Sequence, residues 1–219
     1  MSRPVRIDFV SDVMCPWCAI GLAALEQAIA RVGGDLQVDL RFQPFELNPQ
    51  LPAEGEDVAD HLARKYGLDE QQLAQNSEAI RARGQALGFA FNLDRRGRIH
   101  NTFDAHRLLH WAGEQGAAAQ LALKHALLEA YFTHGRDVSS HAVLAEVAGA
   151  AGLDAARASA VLASGDYADA VRAQQAFYRE RGIAAVPSII FNDRHLLQGG
   201  QPVEQFEQAL RQLSGIAGD

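Results

Sequence analysis

Cysteine is almost missing from this chain of 219 residues: there are two, Cys15 and Cys18, both inside the stretch CPWC. Two thiols cannot form the multi-bridge framework that staples small cores. Hydrophobic residues make up 48% and charged residues 21%, an ordinary balance for a chain that buries a core of its own. Long apolar runs are lacking too. The longest uncharged ones, such as residues 184–191, fall far short of the ~20 residues that cross a bilayer, and the amino-terminal MSRPVRIDF has no apolar signal-peptide segment. Basic charge is in deficit, with a formal net charge of -7 and a pI near 5.6. A phosphate backbone would be repelled rather than neutralised. These absences exclude nucleic acid and membrane as partners and lead to the expectation of a cytoplasmic protein. Thiols stay reduced in that compartment, so a lone cysteine pair points to catalysis or metal binding rather than to a structural bridge.

What is present is organised by periodicity. VRIDFVS, residues 5–11, alternates apolar Val5, Ile7 and Phe9 with Arg6 and Asp8, and LQVDLRF, residues 36–42, alternates in the same way. Between them Leu22, Leu25, Ile29 and Val32 form a helical stripe that stops at Gly33 and Gly34. That is a βαβ unit. From about residue 51 to 182 the chain turns alanine- and leucine-rich at helical spacing, which predicts helices over residues 57–66, 69–87, 99–114, 117–133, 140–151, 154–163 and 166–181. Strand character returns in SIIFN (188–192) and HLLQG (195–199), with Asn192 and Asp193 turning a hairpin. A last helix follows Pro202, with Val203, Phe206, Leu210 and Leu213 on its buried face. Neither end alone has enough strands to close a sheet. The reading is therefore an α/β fold assembled from residues 1–50 and 183–219, interrupted by an all-helical insertion over residues 51–182. No internal repeat or low-complexity tract competes with it.

Cys15 directly follows the first strand and opens the first helix, where unpaired backbone N–H groups and the positive end of the helix dipole favour an anion. Its thiol is therefore expected to be acidic and to act as the nucleophile. Cys18 lies one helical turn on, close enough to form a disulfide with Cys15 and release a product, as in thiol–disulfide exchange. Pro16 suits the first helical turn, where a missing N–H loses nothing, and Trp17 is an apolar platform toward solvent or substrate. A zinc site is the competing reading of CxxC; His106 and His110 have ligand spacing, but they lie inside the helical insertion and Pro16 is unusual in a zinc knuckle. Burial of both cysteines in the core is the bland alternative. In GIAAVPSIIF, residues 182–191, Pro187 stands immediately before an apolar strand, a place proline takes only by beginning the strand or by adopting a cis bond.

Three ordered segments, SDVMCPWCAIG, NTFDAHRLLHWA and AAVPSIIFNDRHLLQGGQP, resemble the DsbA-like thioredoxin superfamily, in particular its FrnE-like branch, over essentially the whole chain. The resemblance implies a thioredoxin-like fold with a large helical insertion, Cys15 as attacking and Cys18 as resolving thiol, and a cis Pro187 facing them. It further implies that the Val186 backbone pairs with an extended substrate segment lying across Cys15. Two positions depart from the pattern. Many relatives carry a buried carboxylate six residues before the nucleophile. Phe9 stands there, with Asp8 on the opposite strand face, so another proton carrier is needed; Asp12 could serve through water or simply cap a turn. Strongly oxidising relatives have His where Trp17 stands, so a reductant or isomerase role suits this chain at least as well as that of a strong oxidant.

The segment HNTFDAHRLLHW offers a polar face. As a helix it would align His100, Asp104 and Arg107, with Asn101 beside them, either as an ion pair plus a loop tether or as the polar wall of a substrate groove. Asn101 and Asp104, with Pro16, Trp17, Val186 and Pro187, are the candidate substrate-binding residues. His106 reads as a hydrogen-bonded structural residue, DRRGR (94–98) as a solvated basic loop, and Tyr131, Phe132, Phe177 and Tyr178 as fillers of the helical core. The activity expected is thiol–disulfide exchange on protein or small-molecule thiols, with no metal and no resident cofactor; glutathione is a candidate co-substrate and a second copy of the chain a candidate partner. The rivals are a glutathione-dependent transferase or isomerase of the kappa or 2-hydroxychromene-2-carboxylate type, whose members usually have Ser at the attacking position, and a non-catalytic binding protein gated by its disulfide.

Overall fold

The structure, a computed structural model, describes residues 4–34, 36–52 and 54–215. Strand β1 (Val5–Ser11) runs into helix α1 (Pro16–Val32), and the chain returns as β2 (Val38–Pro44). After the helical segments come β5 (Ser188–Phe191), β6 (His195–Gln198) and the helix α9 (Val203–Ser214). The four strands form one sheet in the order β2-β1-β5-β6. β1 is parallel to β2, with Ile7 opposite Leu40 and Phe9 opposite Phe42, and antiparallel to β5, with Phe9 opposite Ile189. A central strand must be apolar on both faces, and residues 7–11 are all buried. Asp8 is therefore not a solvent-side residue: it is 2% exposed, with its carboxylate on Gln43 Nε2 at 2.6 Å and Arg6 at 3.1 Å. The β5–β6 hairpin turns on Asn192 and Asp193, both with positive φ, which is the backbone such tight turns require.

The intervening segment carries α2 (Val58–Tyr66), α3 (Glu70–Ala86), α4 (Phe103–Gln115), α5 (Ala117–Phe132), α6 (His141–Ala150), α7 (Ala155–Ala163) and α8 (Ala168–Glu180). Each sequence-derived helix is there within a few residues, with two corrections. A two-residue ribbon of β3 (Glu56–Asp57) against β4 (Arg98–Ile99) interrupts the helical region. And α4 begins at Phe103, not at residue 99: Thr102 is its N-cap, and just before it Asn101 Oδ1 accepts the Phe103 N–H at 2.8 Å in a turn. His100 and Asn101 thus stand outside the helix, and the polar face supposed to align His100 with Asp104 does not form. Phe177, expected in the core, is 45% exposed against the Arg181 guanidinium.

α4, α5 and α8 pack against β2, while α1 and α9 pack together. The outer edge of β2 is finished by a side chain: Gln120 of α5 accepts the Phe42 N–H at 3.0 Å and donates to the Phe42 carbonyl at 3.2 Å. Arg107 of α4, 4% exposed, binds the carbonyls of Val161, Ser164 and Asp166 and locks α4 to the α7–α8 connection. Buried side chains of the sheet, α1, α4 and α5 form one continuous core.

Candidate active site

β1 ends at Ser11, and the loop that follows feeds straight into α1. Cys15 is the N-cap of α1 and Pro16 its first residue, with no side chain capping the helix end. Cys15 therefore stands at the helix end whose first-turn N–H groups lack intrahelical partners, although its sulfur makes no capping hydrogen bond to them. Cys15 is 4% exposed and Cys18 fully buried; both are free thiols. Burial, reinforced by the neighbouring Cys15, pushes the Cys18 thiol well above its ordinary range, while Lys124 and the Asp12 backbone pull against it.

Across from the dithiol the Val186–Pro187 peptide bond is cis, and the Val186 carbonyl accepts from Cys15 Sγ at 3.5 Å. Pro187 approaches α1 so closely that a Cβ on Gly21 would stand 3.2 Å from its Cγ. Trp17 is 37% exposed, lies 5.5 Å from the Arg83 guanidinium, and forms the open side of the site.

Asp12 is 1% exposed. Its carboxylate accepts the N–H of Leu47 at 2.7 Å and of Met14 at 3.4 Å, and lies 3.6 Å from His106 Nε2. Burial alone would raise this carboxyl, but the contacts with His106 and the backbone outweigh it and hold Asp12 below the usual carboxylate range. Asp12 thus joins the dithiol loop to the β2–β3 loop and to α4. His106 also touches the Phe45 carbonyl, at 3.2 Å, while His110 meets Gln174 at 3.3 Å. Among the described residues no group of three or more His, Cys, Asp or Glu is arranged to hold a metal.

The candidate substrate residues divide. Cys15, Cys18, Pro16, Trp17, Val186 and Pro187 come together around the dithiol. Asn101 binds Glu46 at 3.2 Å, in a buried link continued by Gln175. Asp104 pairs with Arg107 at 2.7 Å and His141 at 2.7 Å. A groove of about 580 Å³, lined by Leu47, Pro52, His61, Arg64 and Lys65, opens instead beside the loop that Asp12 anchors. Sequence reasoning passed over Lys124. On α5 it is 0% exposed, and the signal available was a lysine four residues after Gln120 in the stripe that carries Leu123, Leu127 and Tyr131.

A helix-capping cysteine with its partner one turn inside, faced by a proline loop on a four-stranded mixed sheet, defines a thioredoxin-type dithiol site. Residues 6–211 match the DSBA-like thioredoxin domain family, and the chain belongs to that family. It is 29% identical over 207 residues to the uncharacterized protein YwbO of Bacillus subtilis, covering 94% of this chain and 96% of that one. Among solved structures, the probable DsbA oxidoreductase SCO1869 from Streptomyces coelicolor is 35% identical, with a TM-score of 0.86 over 98% of this chain and 92% of that one. The cytosolic disulfide reductase DsbM from Pseudomonas aeruginosa shares the fold at 19% identity, with a TM-score of 0.67 over 97% and 100% of the two chains; it has also been solved with GSH. Family and neighbours give this chain a general oxidoreductase or isomerase role. Among the described residues no helix is long and apolar enough to cross a membrane.

Proposed function

We propose that this protein is a thiol–disulfide oxidoreductase of the FrnE-like branch, working in the cytoplasm on protein or small-molecule substrates without metal or resident cofactor. Residues 1–50 and 183–219 act as its thioredoxin-like domain and residues 51–182 as the inserted helical domain. The observation that carries the reading is the Cys15 sulfur, set at the open end of α1 and 3.5 Å from the Val186 carbonyl. An extended substrate that pairs with the Val186 backbone would lie with its own sulfur over Cys15.

In the reductive direction the Cys15 thiolate attacks one sulfur of the substrate disulfide, that S–S bond breaks, and the first thiolate leaves with the electron pair. Cys18 then gives up its proton and attacks Cys15 Sγ. The Cys15–Cys18 bond forms, the mixed disulfide breaks, and the second substrate thiolate departs. Two electrons have passed to the substrate, and a dithiol or glutathione restores the enzyme. Oxidation and isomerisation use the same steps in other orders.

Glutathione as co-substrate is a second reading, favoured by the GSH complex of the fold neighbour DsbM. Against a glutathione-dependent isomerase stands a cysteine, rather than serine, at position 15. The test is insulin reduction and scrambled-substrate isomerisation by wild type, Cys15→Ser and Cys18→Ser, with glutathione titrated. A mixed disulfide trapped only in Cys18→Ser is expected. Full turnover in Cys15→Ser would end the exchange reading, and glutathione-dependent isomerisation surviving in both variants would establish the rival one.

A further inference from the structure

One guanidinium joins the parts of the chain that surround the dithiol. Arg83, in the last turn of α3, donates through Nη2 to the Gly200 carbonyl at 2.8 Å, and its Cζ lies 5.5 Å from the Trp17 ring centroid. Gly200 in turn rests on the CPWC segment: a Cβ there would stand 3.1 Å from the Trp17 carbonyl oxygen and 3.5 Å from Trp17 Cε3. Its neighbour Gly199 donates to the Pro187 carbonyl at 2.8 Å, and the Val186 carbonyl before it accepts from Cys15 Sγ at 3.5 Å. These contacts close a ring. It runs from the nucleophilic sulfur through the Pro187 loop and the β6–α9 connection to Arg83, and back through Trp17 to Cys15. The end of α3 is also fixed on α1, where Gln27 Nε2 donates to the Leu87 carbonyl at 3.2 Å.

Arg83 is exposed, and among the described residues its guanidinium meets no carboxylate. Gly200 occupies only one of its N–H groups, which leaves the others for a further partner. A guanidinium beside an indole keeps its donors in its own plane, where two of them can take both oxygens of a carboxylate. The chain as a whole repels anions, with its net charge of -7. An unneutralised cation on the open side of the site is a local exception to that field. Trp17 offers an apolar surface and Arg83 a positive charge next to it, so a substrate that is apolar near its sulfur and anionic beyond it fits both.

We infer that Arg83, from the helical insertion, is a specificity-determining residue of the dithiol site: it receives a carboxylate of the substrate and so selects disulfides that carry one near the reacting sulfur. The inference deepens the exchange reading above and rests on it. The chemistry at sulfur is unchanged, with Cys15 attacking and the substrate thiolate leaving. The guanidinium acts earlier, on encounter and orientation, before any S–S bond breaks.

Two chromogenic disulfides test this on the full chain: 5,5′-dithiobis(2-nitrobenzoate), which carries a carboxylate on each ring, and 4,4′-dithiodipyridine, which is uncharged near neutral pH. In Arg83→Gln the rate of the first thiolate release should fall about five-fold with the carboxylate reagent, the size of effect an exposed ion pair supplies, and stay within about two-fold with the uncharged one. Arg194→Gln, the same loss of charge on the β5–β6 hairpin, should leave the ratio of the two rates as in wild type. Equal losses with both reagents, no loss with either, or the same change of ratio in Arg194→Gln would each overturn the inference while leaving exchange intact. Salt supplies a check on the unmutated protein, because it screens charge. The wild-type rate with the carboxylate reagent should fall as ionic strength rises, whereas the overall charge of -7 acting alone would make it rise. A rise in wild type as steep as that in Arg83→Gln would refute the assignment. No thiolate release from wild type with either reagent would sink exchange itself, and this inference with it.

Discussion

The carbonyl oxygen of Val186 and the sulfur of Cys15 are 3.5 Å apart although 171 residues separate them in the chain. What sets that distance is the packing of the Pro187 loop on α1, and Gly21 is the point of contact. A methyl group there would meet Pro187 Cγ at 3.2 Å. Gly21→Ala should leave stability within about 1 kcal/mol of wild type, since the gain in helix propensity offsets the tighter contact. It should nevertheless slow Cys15 attack several-fold by displacing the loop. Gly21→Val, which overpacks the contact, should cost about 2 kcal/mol. Urea unfolding and the rate of thiolate release from 5,5′-dithiobis(2-nitrobenzoate) on attack by Cys15 check both.

Asp12 makes stability depend on acid pH. Its folded pKa lies below the ordinary carboxylate value, so its contribution is fully present above the unfolded value of about 3.9 and is lost as pH falls toward the folded one. Asp12→Asn should destabilise by about 2 kcal/mol at pH 7 through the weakened contacts with Leu47, Met14 and His106. That difference should shrink below about pH 4. A constant difference from pH 7 to pH 3, by denaturant unfolding, would contradict the assignment.

How much of this was legible in the sequence follows from the range of each interaction. Alternation in 5–11 and the stripe from Leu22 to Leu25 are local, and β1 and α1 lie where they were read. The strand read at 36–42 is shifted to Val38–Pro44, because its register is set by β1 across the sheet rather than by its own alternation. CPWC directly after a strand and at a helix start points to a cysteine pair at the end of α1, and Cys15 and Cys18 stand there. What stayed hidden depends on long-range packing. His106 and Asp12 are 94 residues apart, and only the docking of α4 against the β1–α1 loop gives Asp12 a histidine neighbour at 3.6 Å. Lys124 reads as one more charge on a helix until α5 is placed against β2, where Nζ lies 5.6 Å from the Phe42 ring centroid. The β3–β4 ribbon pairs two residues on each side, too few for any periodicity to register.

Arg107 is structural. Its guanidinium serves the carbonyl of Val161 at the end of α7, the carbonyls of Ser164 and Asp166 in the α7–α8 connection, and Asp104, and truncation removes all four contacts and leaves the space of a buried side chain to be filled. Arg107→Leu should destabilise by about 3–5 kcal/mol, and Arg107→Lys should recover little, because one ammonium cannot reproduce the planar fork. The folded fraction of either variant should retain the wild-type rate of Cys15 attack. A rate loss larger than the loss of folded protein would move the Asp104–Arg107 pair into the substrate site.

The two thiols should differ sharply toward alkylation. Cys15 is at the helix end beside the half-open Trp17, whereas Cys18 is sealed at 0% exposure and its thiol is pushed well up, first by burial and then by Cys15. Reactivity follows thiolate fraction and access together, and both disfavour Cys18. Brief iodoacetamide treatment of the reduced protein near neutral pH, read by peptide mass spectrometry, should give a single adduct on Cys15 with at least roughly ten-fold preference. Raising the pH should bring in Cys18 only in the alkaline range, unless the protein is first unfolded. Equal labelling of both at neutral pH would mean that Cys18 is not shut inside the helix, and the division of the two sulfurs into attacker and resolver would lose its physical basis.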